Sequence, residues 1–331
     1  MIDVCLDASA LAQVRMSVSP AFEAIAWLRL AADGRHHAVY GDPGPAARLA
    51  LRDRDVALVA QALPSGGTGG YTLDLLTPKP WMGPVASILD RQLGVMTETP
   101  SDAAAYQLCT GRFPLGGMPT EVRTAMENGT FARRAADGLL RFWRLVFAEL
   151  WPGVRTTLET DLAARATAIG AAGIGRMLGT LHRDVDWTGS HLSVGTNAYR
   201  ETFELGGEEL VLCPTAIGWP RVAAQCCDPR DAVLFYPANG LGPTRPASAG
   251  GLPELVGSSR AVILRDLGVA RSTHELSTRW RLAPATVSYH LGVLLRSGLV
   301  SRRRDRRVVF YHRTEQGDAM LGFRADVLHN S

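Results

Sequence analysis

The sequence almost lacks lysine: Lys79 is the only one, and arginine supplies the rest of the 35 basic residues. A bias of this kind is typical of a GC-rich coding sequence. It still has a physical consequence, because a guanidinium group makes bidentate contacts with phosphate or guanine that an ammonium group cannot make.

Long hydrophobic runs are also missing. No stretch approaches the roughly 18 consecutive apolar residues that a membrane-spanning helix needs. The start of the chain, MIDVCLDASALAQVRMS, has neither the basic nor the apolar region of a signal peptide. The five cysteines are an odd number scattered along the chain, which indicates reduced thiols rather than a disulfide framework. We therefore expect a cytoplasmic protein with no membrane contact.

The hydrophobic share of 46% and the charged share of 20% are ordinary for a globular protein. The formal net charge of +3 hides an asymmetry. Residues 255–331 hold 13 arginines and 6 acidic residues, a net +7, whereas the remainder holds 22 basic and 26 acidic residues, a net −4. A basic end on a mildly acidic body is typical of a DNA-binding module joined to another domain.

The segment from Pro237 to Pro253 is rich in Pro, Gly and Ser and has no apolar periodicity, so it reads as a linker. The sequence therefore predicts a domain over residues 1–240, a linker over 241–253 and a second domain over 254–331. The predicted fold class is α+β, with a mainly helical N-terminal domain that carries a small antiparallel sheet.

In the N-terminal domain a strand over 2–6 precedes a helix that begins at Ser19-Pro20. Apolar periodicity predicts further helices over 45–62, 84–94, 101–109, 119–127 and 131–150. Trp151-Pro152 interrupts the last of these, and another long helix is expected to about 182. Strands are expected over 191–195, 201–205, 209–212 and 232–236, with Gly206-Gly207 as a hairpin turn between the second and third.

The sequence of the C-terminal domain predicts three helices followed by a basic two-stranded ribbon. The first helix runs over about 254–267, with Leu255, Val262, Ile263 and Leu267 inward and Gly268 as its stop. The second opens with a capping box at Ser272–Glu275 and turns Leu276 and Trp280 inward. The third begins at Pro284, where a missing N–H costs nothing.

The third helix has two different faces. Val287, Leu291, Leu294 and Leu295 fall on the buried side. The opposite side is small and polar near the helix start, as a DNA recognition helix requires, and holds Ala285, Thr286, Ser288, Tyr289, Gly292 and Arg296. The ribbon that follows carries five arginines at its tip, which suits contact with the sugar-phosphate backbone: Arg302, Arg303, Arg304, Arg306 and Arg307.

Residues 283–304, APATVSYHLGVLLRSGLVSRRR, closely resemble the recognition helix and first wing strand of the ArsR/SmtB family. The resemblance implies a winged helix-turn-helix that binds operator DNA as a homodimer, with an interface made by the first and last helices of the domain. It implies that Thr286, Ser288, Tyr289 and His290 face DNA and that the wing arginines grip the backbone. Relatives usually have Gly before the final wing arginine, where this chain has Arg306.

A wider resemblance covers nearly the whole chain. Ser19–Glu23, Trp151–Arg155, His182–Trp187, Cys213-Pro214, Trp219-Pro220 and Tyr236–Gly240 resemble the long N-terminal domain of some actinobacterial ArsR-type regulators. This resemblance implies an architecture without naming a ligand.

The residue types present at the usual ligand and catalytic positions do not favour metal sensing or catalysis. The second helix lacks the Cys-x-Cys pair of a thiolate sensor, and Asp318 and His329 have no partners at ligand spacing. Adjacent cysteines such as Cys226-Cys227 are more often ordinary than metal ligands. Gly66–Gly70 has no P-loop lysine, and His36-His37 predicts a surface turn rather than a catalytic pair. We expect no metal, no cofactor and no enzyme activity.

Two functions remain open for the N-terminal domain. It either binds a small, mainly apolar effector that changes DNA affinity, or it mediates oligomerisation or contact with a protein partner. Its aromatic residues near helix pairs favour the first, although such residues more often form core. The candidate effector-binding residues are Trp27, Trp81, Phe142, Trp143, Phe147 and Trp219.

Overall fold

In a computed structural model the chain divides into two compact units, Met1–Pro243 and Thr244–Ser331. The structure describes residues 2–65, 70–182, 184–195, 201–241, 257–267, 270–280, 282–305, 308–314 and 316–317. The predicted domain limits stay a prediction, because residues 242–256 lie outside the described residues. Within the described ranges, no helix is long and apolar enough to cross a membrane.

The N-terminal unit is mainly helical. Its helices are α1 (Ala8–Ala12), α2 (Pro20–Ala32), α3 (Gly44–Ala50), α4 (Arg54–Ala62), α5 (Val85–Glu98), α6 (Ser101–Tyr106), α7 (Thr120–Glu127), α8 (Phe131–Phe142), α9 (Ala148–Ala172) and α10 (Ile174–Gly179). Wider π-helical turns follow α6 at Gln107–Arg112 and α8 at Trp143–Phe147. A single hydrophobic core joins α2 to α9.

Two predicted helices have different limits in the structure. The segment 45–62 forms two helices, because the side chain of Asp53 accepts hydrogen bonds from the N–H groups of Asp55 and Val56 and starts α4 there. Pro152 does not interrupt the chain but lies inside α9, in the turn that follows the π-helical one. Pro152 removes one backbone hydrogen bond of the helix, which nevertheless continues to Ala172.

The strands of this unit form two sheets rather than one. β1 (Ile2–Cys5), β3 (Val185–Trp187), β4 (His191–Val194) and β5 (Glu201–Glu204) make a sheet of order β3-β4-β1-β5. β2 (Arg15–Met16), β6 (Val211–Thr215), β7 (Ala223–Gln225) and β8 (Val233–Pro237) make a sheet of order β2-β6-β8-β7. Both sheets contain parallel pairs, β1 with β5 in the first, and β2 with β6 and β6 with β8 in the second.

The predicted hairpin at Gly206-Gly207 is wrong. The chain does turn there, with φ angles of 59° and 88° that favour glycine. However, β5 pairs with β1 and β6 pairs with β2 and β8, so the strands on either side of the turn lie in different sheets. Local turn chemistry predicts the change of direction, whereas the choice of strand partner depends on residues far away in the chain.

The C-terminal unit contains α11 (Ser258–Asp266), β9 (Arg271–Ser272), α12 (Thr273–Trp280), α13 (Pro284–Arg296), β10 (Val300–Asp305) and β11 (Val308–Arg313). The strands form a sheet of order β10-β11-β9. Its core contains the predicted Ile263, Leu267, Leu276, Val287, Leu291 and Leu294, with Val262 and Leu295 only half-buried. The predicted Leu255 and Gly268 lie outside the described residues. The mixed α+β class, with a helical N-terminal region and a C-terminal helix-turn-helix, is confirmed.

Candidate nucleic-acid interface

The helix-turn-helix corner begins with the predicted capping box, which the structure confirms. The N–H of Ser272 donates to Glu275 Oε2 at 2.6 Å, and the N–H of Glu275 donates back to Ser272 Oγ at 3.3 Å. The N–H bond from Ser272 lowers the pKa of the Glu275 carboxyl, because it stabilises the charged form. At the other end of α12, Ser277 Oγ donates to the Leu282 carbonyl at 2.7 Å. These bonds hold the turn that sets the direction of α13.

Asp266, at the end of α11, connects this corner to the first helix. Its carboxylate lies 3.2 Å from Arg271 Nε and 3.0 Å from Arg279 Nε, and it accepts a 2.9 Å hydrogen bond from Trp280 Nε1. The inward position predicted for Trp280 is therefore wrong. The side chain is 40% exposed, because the indole N–H bonds to Asp266 instead of turning into the core. No spacing rule in the sequence indicates that these residues meet.

The outer face of α13 is exposed where the sequence predicts base contacts. Thr286 and Ser288 are exposed, and Tyr289 is 65% exposed although its ring is large. Arg296, two turns further on, is also exposed. A buried face of Val287 and Leu291 fixes the helix from behind. The result is a rigid helix with hydroxyl groups and one aromatic ring directed outward, which suits entry into a major groove.

His290 differs from its neighbours on the helix. It is only half-buried, yet its Nδ1 atom is buried and has no hydrogen-bond partner among the described residues, and the centre of its ring lies 5.6 Å from that of Tyr289. Burial, with a smaller contribution from the positive charge of Arg260, lowers the pKa of His290. His290 is less accessible than the other three residues predicted to face DNA.

The two-stranded ribbon has the form of a wing. β10 and β11 pair antiparallel, with Arg302 opposite Tyr311, Arg303 opposite Phe310 and Arg304 opposite Val309. All three arginines are exposed, and strand alternation places Arg303 on the opposite face from the other two. Arg306 and Arg307, predicted for the tip, lie outside the described residues.

The base of the wing is held by contacts that sequence reasoning missed. The short strand β9 pairs with β11, with Ser272 opposite Phe310. Arg313 donates to the carbonyl of Arg265 at 3.1 Å, and its own N–H donates to the carbonyl of Leu267 at 2.9 Å. An arginine at the end of a basic ribbon looks like another phosphate ligand in the sequence, but here it ties the wing to α11.

The six candidate effector-binding residues do not form one pocket. Trp27, Phe142 and Phe147 are buried in the helical core. Trp143 is half-buried and packs against Trp151, with ring centres 5.3 Å apart. Trp81 is 60% exposed and lies under Arg91. Trp219 lines a cleft together with residues 179–182 and 237–241.

Two histidines and two cysteines complete the sequence candidates. His36 is exposed, as a surface turn requires, but His37 is buried against Tyr40 and accepts hydrogen bonds from the Val39 and Tyr40 N–H groups at 3.1 Å. Burial raises the pKa of the Cys226 thiol to about 12, which makes it a poor thiolate ligand. The residues that the structure describes contain no group of three His, Cys, Asp or Glu side chains placed as metal ligands.

Comparison with known proteins supports the assignment of the C-terminal unit. Residues 258–303 match the family model described as "Helix-turn-helix domain". The solved structure of reduced HlyU from Vibrio cholerae is 34% identical to this chain over the matched region, with a TM-score of 0.20. The match covers 22% of this chain and 77% of the HlyU chain. A second structure of HlyU from the same organism is 32% identical, with a TM-score of 0.20, and the match covers 24% of this chain and 91% of the HlyU chain. No curated protein matches the chain.

A TM-score of this size carries no argument about the fold, so the assignment rests on the family match and on the helix, turn and wing described above. The chain carries an ArsR-type helix-turn-helix DNA-binding domain. It is a transcription regulator. The matched residues begin with α11 and end inside β10, so they include the capping box and the recognition helix.

Proposed function

We propose that the chain is a repressor that binds operator DNA as a homodimer and that its N-terminal unit changes DNA affinity when it binds a small molecule. One observation carries the DNA part of this proposal. An exposed polar helix face and an exposed arginine-bearing wing lie on one small unit whose core and turn are fixed by buried contacts. Thr286, Ser288 and Tyr289 are proposed to meet base edges, with His290 beside them, and the wing arginines to meet phosphates.

Dimerisation is proposed from the family resemblance. The last segment of the chain, which would supply one interface helix, lies outside the described residues. Two half-sites spaced by one helical turn of DNA would then mirror the twofold symmetry of the protein. Analytical ultracentrifugation of the full chain, alone and with operator DNA, measures the stoichiometry.

The positions of the cysteines and of the cleft support the sensory role. All five cysteines precede residue 228, so the helix-turn-helix unit holds no thiol that could change its redox state. The N-terminal unit has its own hydrophobic cores and contains the cleft that Trp219 lines. A signal that acts through this chain is therefore proposed to enter through the N-terminal unit.

The alternative role, oligomerisation or contact with a protein partner, is supported by a different observation. Leu49 in α3 and Leu145 in the π-helical turn are 60% and 62% exposed. If this alternative is right, Leu49→Ser or Leu145→Ser will lower the oligomeric state or remove a partner and will leave ligand binding unchanged.

The first test is binding of the full-length protein to labelled DNA from upstream of its own gene, at two salt concentrations, against scrambled competitor DNA. The proposal expects tight binding that resists the competitor and weakens steeply with salt, because phosphate contacts release counterions. Addition of a compound that binds the N-terminal unit should then change the affinity. Equal, weak binding to both DNAs would contradict the operator, and unchanged affinity with every bound compound would contradict the sensor.

A further inference from the structure

The cleft that Trp219 lines lies at the carboxyl edge of a parallel sheet. Its volume is about 440 Å³. β2, β6 and β8 are neighbouring parallel strands, so their carboxyl ends meet at one edge. Trp219 lies four residues after the end of β6. Pro237 is the last residue of β8, and residues 238–241 follow it and line the cleft. Sheets with parallel strands bind ligands outside the carboxyl ends of those strands.

A buried ion pair on α9 holds both walls of this cleft. Arg165 donates to the carbonyls of Thr180 and Leu181 at 3.1 and 3.0 Å, which fixes the wall formed by residues 179–182. Asp161, 3.6 Å from Arg165 Nε, accepts from the Asn239 N–H at 2.9 Å and from the Tyr236 hydroxyl at 2.8 Å. The cleft is therefore built by specific contacts on both sides and is not a gap between loose loops.

The turn that carries Trp219 is held by residues that do not line the cleft. The carboxyl of Glu23, buried on α2, accepts from the Ile217 N–H at 2.7 Å, and Thr215 Oγ1 accepts from the Gly218 N–H at 2.8 Å. The buried His37 ring lies 6.3 Å from the Trp219 ring in an edge-on arrangement. These contacts fix the turn, so the half-buried indole presents a rigid face to the cleft.

The lining decides the chemistry of the ligand. None of the described residues that line the cleft is Asp, Glu, Lys or Arg. The charges of Asp161 and Arg165 beneath it compensate each other. The side chains that bring a ring or a polar group to the lining are those of Thr180, His182, Trp219 and Asn239. The half-buried His182 ring accepts a hydrogen bond from the Asp184 N–H at 3.2 Å through Nδ1. The carboxamide of Asn239 has both donors and an acceptor and is exposed.

Resting on the function proposed above, we propose that this cleft is the effector site and that it binds a small uncharged molecule with a flat ring face and hydrogen-bonding groups at its rim. The ring packs on Trp219 and the rim groups pair with Asn239. A nucleoside and a glycoside share this chemistry. The mainly apolar effector expected from the aromatic residues does not fit, because three of the six aromatics belong to the core.

Saturation-transfer NMR on the full-length protein tests the site, with adenosine, uridine, methyl β-glucoside, benzoate and choline as separate probes. We expect binding of a nucleoside or of the glycoside, and no binding of benzoate or choline. The two uncharged arms identify the source of the ring. Trp219→Leu and Asn239→Ala should each weaken binding by roughly tenfold, whereas Trp81→Leu, which changes an exposed indole outside the cleft, should bind as wild type does.

Asn239→Ala retains the backbone N–H that donates a hydrogen bond to Asp161, so this variant tests the site even if Trp219→Leu does not fold. The site is overturned if only benzoate or choline binds, if no uncharged probe binds, or if binding persists in both variants. The operator complex separates this outcome from the function proposed above. A compound that changes DNA affinity equally in wild type and Asn239→Ala supports the sensor and overturns the cleft. A probe that binds in wild type but not in Asn239→Ala, and leaves DNA affinity unchanged, supports the cleft and overturns the sensor.

Discussion

Arginine has different surroundings in the two units. In the N-terminal unit Arg134 lies 2.7 Å from Asp55 and 2.9 Å from Glu121, and Arg141 lies 2.7 Å from Asp53, so these guanidinium groups join α4, α7 and α8. In the C-terminal unit Arg302 and Arg303 project from β10 and are exposed. The same residue type therefore ties α4, α7 and α8 together and presents charge to solvent on β10. The number of arginines does not indicate which role each one has; the position of carboxylates in the fold does.

The largest effect is expected where an arginine is buried. Arg165→Met leaves the carboxylate of Asp161 buried without its counter-charge and removes two hydrogen bonds to carbonyls. We expect the free energy of unfolding, measured in urea, to fall by about 3–5 kcal/mol. Arg155→Met is the matched control, because Arg155 and Glu159 form an exposed pair at the same spacing on α9. That change should lower the free energy by about 0.5 kcal/mol or less, and equal effects would contradict the role of burial.

The second-largest effect is expected at the buried carboxyl group of Glu23. Burial raises its pKa to about 7, against the lowering effect of hydrogen bonds from Thr215, Ile217 and Ala216. The folded chain therefore keeps a proton that the unfolded chain releases above about pH 4.5. Its contribution to stability is fully present below that pH and is lost as the pH rises to about 7.

The measurement is urea unfolding at several pH values between about 5 and 8. Relative to Glu23→Gln, the wild type should lose up to about 3 kcal/mol of unfolding free energy across this range. Glu149→Gln, which changes an exposed carboxyl on α9, should follow the wild type. If the Glu23→Gln and wild-type curves run parallel, Glu23 does not titrate in this range.

The third prediction sharpens the contrast between helix and wing within the C-terminal unit. Ser288→Ala or Tyr289→Ala should change sequence preference and cost about 1–3 kcal/mol at one base position. Arg303→Ala should weaken binding to all sequences alike and reduce the salt slope by roughly 1. Competition binding with single-base operator variants at several salt concentrations measures both. Altered specificity from the wing change, with none from the helix changes, would show that the roles proposed for α13 and the wing are wrong.

The smallest effect is expected for an exposed arginine of the N-terminal unit. Arg141 lies 2.7 Å from Asp53, but its side chain is 51% exposed, so solvent screens the pair. Arg141→Ala should lower the free energy of unfolding less than any of the changes above and leave DNA affinity unchanged. A large loss of DNA affinity in this variant would mean that the paired arginines also bind DNA.

Much of the fold follows from local signals. Ser272 and Glu275 lie three residues apart, so their capping box needs no other part of the chain. Pro284 starts α13 where predicted, and Thr120–Glu127 matches the helix expected over 119–127. Helix limits fail where two signals compete, as at Asp53, whose cap overrides a continuous apolar pattern.

The candidate DNA interface was predictable because it is a surface. Its residues are those that helical and strand periodicity leave outside the core, and Thr286, Ser288 and Tyr289 are exposed accordingly. The cleft was not predictable in the same way. Aromatic content predicted Phe142 and Phe147 as binding residues, but both fill the core. Asn239 and the Asp161–Arg165 pair that holds its loop carry no such signal in the sequence.

By itself the sequence determined the class of the protein, the order of elements in the helix-turn-helix unit and its basic charge, because propensity, capping and periodicity act over a few residues. Only the tertiary structure decided that β5 pairs with β1, that Trp280 bonds to Asp266, and that Trp219 and Asn239 line one cleft. Those contacts join residues far apart in the chain. Their partners are set by the packing of sheets and helices, which a local pattern does not encode.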